Sequence, residues 1–142
     1  MKILLLIATA LLATGCATKS FDVNHKIQVQ VVTSPEEQHR VQLLHRVIND
    51  TFHEHNLSLS TTEGPIIKLS INKFTELSNK SRLNYNILLL DSTETSVIAM
   101  HDAKNLPSVI GDTPAAKEKR IYKKLANTMV AILHKYRDQL VK

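Results

Sequence analysis

The 142-residue sequence predicts an α+β fold: a mainly antiparallel sheet of about four to five strands with two helices packed on one face, in the order strand, helix, strands, helix. Three observations predict it. Short stretches alternate apolar and polar residues with the period of a strand, two longer stretches repeat apolar residues at helical spacing, and turn residues separate them. Laying the two helices side by side on one sheet face is a simple way to bury both apolar stripes.

Lys26 to Thr33 alternates, with Ile27, Val29 and Val31 on one side and Gln28, Gln30 and Val32 on the other, the pattern of a half-buried strand. Ser34-Pro35-Glu36-Glu37 then opens a helix with a serine cap, a proline in the first helical position and a carboxylate three residues after the cap. Val41, Leu44, Ile48 and Phe52 recur at helical spacing, Leu43 and Val47 widen the stripe, and the helix is expected to end near Asn56. Leu57 to Thr62 alternates leucine with serine, Glu63-Gly64-Pro65 marks a turn, and Ile66 to Phe74 places Ile67, Leu69 and Ile71 on one face, so two more strands are expected. Thr75 to Arg82 reads as a loop and Leu83 to Leu90 as a strand covered on both faces for part of its length. Asp91-Ser92-Thr93-Glu94 reads as a hairpin turn and Ser96 to His101 as the returning strand. Ala103 to Ala116 is irregular, with Pro107, Gly111 and Pro114. Thr113-Pro114 caps a final helix whose stripe is Ile121, Leu125, Met129, Ile132, Tyr136 and Leu140, opposite its lysines.

Before these elements, Met1-Lys2 precedes a run from Ile3 to Leu12 that is apolar except for Thr9, and Ala13-Thr14-Gly15-Cys16 follows. An apolar run of about ten residues fits a secretory signal, whereas a spanning helix needs ~20. Small residues before Cys16 resemble a lipobox, and the segment is similar to a bacterial lipoprotein signal peptide, with Ala13 standing where leucine is most common. Ordinary secretory cleavage is the alternative. The resemblance implies that residues 1–15 are removed, that Cys16 is acylated and becomes the first residue, that residues 16–25 form a tether, and that residues 26–142 form a single α+β domain. Ala17 after the cysteine, in place of aspartate, implies the outer membrane with the domain facing the periplasm. About ten tether residues span at most ~35 Å, so the domain works close to its membrane.

Removing residues 1–15 of the 142 leaves 127, enough for one core, and the loss of Lys2 takes the formal charge from +5 to +4. Cys16 is the only cysteine, so once it is acylated no thiol is left for a disulfide, a redox centre or a nucleophile. The positive charge gathers at the end of the chain, where Lys117, Lys119, Arg120, Lys123, Lys124, Lys135, Arg137 and Lys142 outnumber Glu118 and Asp138. Lys117, Lys119, Arg120, Lys123 and Lys124 are candidate contacts for an anionic lipid, lipopolysaccharide or an acidic partner; a solvated helix face is the plainer reading. Leu106, Val109 and Ile110, apolar in a stretch that otherwise reads as exposed, are candidate partner contacts. Nucleic acid is not an expected partner, with aromatics at 4% of the chain.

Catalytic signatures are absent from the sequence. Gly64 and Gly111, the glycines left after processing, sit in no phosphate-cradling loop, and there is no G-x-S-x-G elbow. Asp91 and Glu94 read as turn carboxylates. Of the seven histidines, His39, His45, His53 and His55 are the densest group, but they lack the three- or four-residue spacing that shares a helix face, and no metal or other cofactor is implied.

The order of elements and the phrase Tyr85-Asn86-Ile87-Leu88-Leu89-Leu90-Asp91-Ser92-Thr93-Glu94 resemble small outer-membrane lipoproteins of poorly defined function. The layout also looks like the lipopolysaccharide-assembly lipoprotein that plugs a translocon barrel, and like the amino-terminal domain of TolB. The plug typically has an aromatic and an arginine just after its cysteine, where this chain has Ala17-Thr18-Lys19-Ser20. The leading expectation is a non-catalytic outer-membrane lipoprotein, an accessory or assembly subunit of an envelope complex with a protein partner. The alternative is a lipid or lipopolysaccharide binder, and the third reading a periplasmic enzyme or metal protein.

Overall fold

The computed structural model describes residues 25–76, 81–103 and 113–140. Strand β1 (His25–Thr33) leads into a 3-10 helix (Pro35–Arg40) and helix α1 (Val41–Glu54). Strands β2 (Leu57–Leu59), β3 (Ile66–Glu76), β4 (Ser81–Leu90) and β5 (Val97–Ala103) follow, then α2 (Pro114–Lys135) and a final turn, α3 (Arg137–Leu140). The five strands form one sheet in the order β2-β1-β3-β4-β5.

The fold is α+β as predicted, but the sheet is mixed rather than mainly antiparallel. β1 lies between two parallel neighbours, Ile27 opposite Leu59 of β2 and Val31 opposite Leu69 of β3, while β3–β4 and β4–β5 are antiparallel. Connectivity supplies the reason. A helix between two strands carries the chain back along the sheet, so the next strand starts at the same end as the first and runs beside it.

β2 is shorter than the predicted Leu57–Thr62 because the chain then leaves the sheet. The Ser60 N–H donates to the Ile27 carbonyl at 2.9 Å and the Gln28 N–H to the Pro65 carbonyl at 2.9 Å, so residues 60–65 step across β1 from one flank to the other. Gly64 makes the crossing feasible. Its φ of +94° belongs to the left-handed region, and a Cβ there would lie 1.8 Å from the carbonyl oxygen of Lys26.

A register shift between Ile71 and Lys73 interrupts the β3–β4 ladder. The extra residue resets the period-two alternation, so Phe74 faces the core along with Ile67, Leu69 and Ile71. β3 and β4 also run further into the predicted Thr75–Arg82 loop, pairing Thr75 with Arg82 and Glu76 with Ser81.

Both helices cover one face of the sheet. α1 buries Leu44, Val47, Ile48, Thr51 and Phe52; α2 buries Ile121, Tyr122, Leu125, Ala126, Met129, Val130 and Leu133, against Ile27, Leu69, Leu83, Tyr85 and Leu89 from the strands. At about 1.5–3 kcal/mol for each large apolar side chain buried, this layer is the main source of stability. The buried edge of α2 differs from the predicted stripe: Tyr122, Ala126, Val130 and Leu133 are inside, while Ile132, Tyr136 and Leu140 are half-buried at the rim. Thr51 satisfies its buried hydroxyl by donating to the Val47 carbonyl at 2.8 Å.

The helix starts behave differently. Thr113 caps α2 as predicted, its hydroxyl accepting from the Ala116 N–H at 3.1 Å, with Pro114 in the first turn. Ser34 makes no side-chain cap, and the first six residues wind as a 3-10 helix before α1 begins at Val41. Glu37, expected to answer the free N–H groups, instead pairs with Arg40 at 2.7 Å. Arg40 also reaches Glu118 at 3.0 Å and lies over the Phe74 ring at 4.1 Å, tying the 3-10 helix to α2 and β3.

Candidate functional site

A cleft in the helical layer lies between α1 and α2. These helices run side by side in the same direction: Arg40 meets Glu118 near their starts, and the rings of His55 and His134 meet edge to face at 6.1 Å near their ends. Between those contacts is a groove of about 420 Å³, lined by Val47, Asp50, Thr51 and Glu54 from α1 and by Ala116, Lys119, Arg120 and Lys123 from α2. A volume of this order is at the lower end of small-ligand clefts.

Each wall is one helical stripe with the spacing i, i+3, i+4, i+7, the set of positions that share a face. Val47 and Thr51 are buried in the core beneath, and the small side chain of Ala116 leaves room above them. The charges are sorted by wall, carboxylates on α1 and cations on α2. Lys123 bridges the gap, its Nζ 2.7 Å from Glu54 Oε2, and this hydrogen bond holds the Glu54 carboxyl below its ordinary value. The two side chains are 40% and 58% exposed, so the bridge orients the walls more than it stabilises the fold.

The predicted contact residues fall in different places. Lys119, Arg120 and Lys123 are brought together on the α2 wall. Lys124 is exposed outside the groove lining, and Lys117 turns inward, 6% exposed. Cys16, Leu106, Val109 and Ile110 lie outside the described residues. The acidic wall was missed by the sequence reading, although Asp50 and Glu54 stand four apart, as do Lys119 and Lys123.

Asp91 is a turn carboxylate, as the sequence indicated. It accepts from the Thr95 N–H at 2.9 Å and from the hydroxyls of Thr93 and Thr95 at 3.1 Å, fixing the β4–β5 hairpin. Glu94, at φ +62°, pairs with Lys68. Among the described residues no cluster of three or more histidine, cysteine or carboxylate side chains is placed to hold a metal ion. Among them, too, no helix is long and apolar enough to cross a membrane.

A second surface is the helix-free face of the sheet. Val32, Lys68, Ser70, Asn86, Ile87, Leu88, Met100 and His101 line a shallow depression of about 240 Å³ there. Val32 is 57% and Met100 76% exposed, and Val97, beside them on β5, is 56% exposed. Gln28 and Gln30 alternate with the core-facing residues of β1 and fall on this side too. Apart from His101, the lining holds one ionisable side chain, Lys68, which is paired with Glu94.

No protein-family model and no curated protein matches the sequence. Solved structures share its fold. A Xanthomonas campestris protein of family DUF330 is similar with a TM-score of 0.66 at 11% identity, over 87% of this chain and 91% of that one. A minor lipoprotein from Acinetobacter baumannii has a TM-score of 0.52 at 13% identity, over 81% of this chain and 94% of that one. The PelC dodecamer of Paraburkholderia phytofirmans has a TM-score of 0.51 at 8% identity, over 72% of this chain and 84% of that one. At such identities the likeness is one of fold.

Proposed function

We propose that the chain is a non-catalytic bacterial lipoprotein, anchored through acylated Cys16 in the outer membrane and facing the periplasm, that serves as an accessory or assembly subunit of an envelope complex. The observation that carries the subunit reading is the open face of the sheet. It combines exposed Val32 and Met100 with neutral Ser70 and Asn86 and a single, paired charge. Depletion of charge around apolar side chains is the composition of protein-interface centres, and we assign this face to a protein partner. The lipobox-like segment supports the anchor, and the minor lipoprotein among the structures that share this fold is in keeping with it.

The test is photo-crosslinking in living cells from probes at positions 32, 86 and 100, with a control probe at position 124 on α2 and a Cys16→Ala strain. The reading expects one abundant envelope protein joined from the sheet positions, absent from the control probe and lost when the anchor is removed. Equal products from all four positions, or none, would overturn it. Incorporation of labelled palmitate into the wild type and not into Cys16→Ala tests the anchor separately.

A second reading, a lipid or lipopolysaccharide binder, is favoured by a different observation, the cationic wall of Lys119, Arg120 and Lys123 on the opposite side of the molecule.

A further inference from the structure

We infer that the groove between α1 and α2 is a binding site for a dipolar phosphodiester headgroup, one that carries a phosphate and a primary ammonium side by side. This deepens the lipid-binding reading and rests on it. The groove is two-signed: Lys119 and Arg120 line one wall and Asp50 the other, while Lys123 and Glu54 hold each other at 2.7 Å toward its end. A ligand with phosphate alone would meet the cations but leave its negative charge opposite the Asp50 carboxylate. A ligand with ammonium alone would meet the reverse. A headgroup that bears both satisfies both walls, phosphate toward Lys119 and Arg120, ammonium toward Asp50.

The floor fits the same ligand. Ala116 lines the space between the charged walls with a methyl group, and Val47 and Thr51 close it from beneath, which suits the two-carbon link between phosphate and ammonium. The depression on the opposite face of the sheet has no such pair of oppositely charged walls in its lining. With Cys16 acylated as proposed above, the residues between it and β1 would span at most ~35 Å, so headgroups would be the nearest abundant source of such a ligand.

The experiment uses the acylated protein in nanodiscs of phosphatidylcholine alone, of phosphatidylcholine with phosphatidylethanolamine, and of phosphatidylcholine with phosphatidylglycerol. Amide hydrogen exchange is read over residues 47–54 and 116–123. The expected result is slower exchange in both segments only with phosphatidylethanolamine, lost in Asp50→Asn and in Lys119→Gln/Arg120→Gln, both surface changes whose folding is checked by circular dichroism. Equal exchange in all three discs would rule out the lipid as the source of the headgroup. Stronger protection by phosphatidylglycerol would overturn the proposal, because it would indicate plain attraction to anionic charge.

A second arm titrates the detergent-solubilised protein with glycerophosphoethanolamine and follows the same amides by nuclear magnetic resonance. Saturable shifts weakened about tenfold or more by Asp50→Asn support the site, and their occurrence without disc selectivity assigns it to a free phosphodiester instead of a lipid. Absence of shifts together with absence of disc selectivity sinks it. Failure of the anchor would appear differently, as protein lost from every disc, and would leave this titration intact.

Discussion

On β4, Leu89 is fully buried beneath the helices while Leu88, the residue before it, lines the open depression on the other side. The same alternation separates Ile67 and Leu69 from Lys68 and Ser70 on β3, and Ile27 from Gln28 on β1. A strand's period of two delivers both surfaces from the same residues, and whatever the helices cover becomes the core. Contacts on the covered face therefore set stability, and residues on the open face are left for the docking proposed above. The crossing at Gly64 joins the two roles, because the chain passes there within contact of the β1 backbone.

Gly64→Ala should have the largest effect. A positive φ combines with a Cβ 1.8 Å from the Lys26 oxygen, so β1 or the crossing must move. A loss of about 4 kcal/mol is expected, a large share of the roughly 5–15 kcal/mol that holds a domain folded, and urea titration would measure it. An unchanged midpoint would mean that residues 60–65 do not cross β1 as described.

The comparison of faces is most directly tested by Leu89→Ala against Met100→Ala. Leu89→Ala should cost about 2–5 kcal/mol in the same titration. Met100→Ala should stay within about 0.5 kcal/mol while weakening crosslinks to the partner. Similar costs for both would erase the distinction between core and docking face.

A smaller effect separates the faces by pH. Burial is the largest cause raising the hydroxyls of Tyr122 and Tyr85 above their ordinary 10, Tyr122 well above it, and Tyr122 also donates to Glu118 at 2.8 Å. Ionisation is penalised in the folded state alone, so both tyrosines contribute stability in full below pH 10, and it is lost as the pH rises beyond 10. Urea midpoints at about pH 8 and about pH 10.5 should differ, and Tyr122→Phe should flatten the difference. A slope unaltered by that exchange would place the alkaline sensitivity elsewhere.

The smallest effect is expected in the groove. The hydrogen bond from Lys123 keeps the Glu54 carboxyl below 4.5, so its contribution is present above that pH and fades as the pH falls below it. Lys123→Met should return the Glu54 titration, followed by nuclear magnetic resonance, toward its ordinary value and barely move the urea midpoint.

Much of this fold was legible in the sequence. Alternation located β1 and β3 to within two residues, the Thr113-Pro114 cap set the start of α2, and Asp91 to Glu94 marked the hairpin. Strand direction was not legible, because alternation is the same whichever way a neighbour runs, and a three-residue β2 carries too little pattern to declare its pairing. The bulge at Ile71–Lys73 was equally silent until the packing of Phe74 showed which residue had been skipped. Of the groove, Lys119, Arg120 and Lys123 stood out by counting charge, whereas Asp50 and Glu54 lie about seventy residues away and were seen only once α1 and α2 were side by side.

By itself, the sequence determined which segments are helix and which are strand, which side of each carries the aliphatic residues, and that the basic residues cluster late. These are local properties, set by side-chain period and backbone chemistry over a few residues. Tertiary structure alone decided that β1 sits between parallel partners, that Gly64 must pass over Lys26, and that an acidic wall faces a basic one. Each depends on two distant segments meeting in space, and chain connectivity with close packing decides which segments meet.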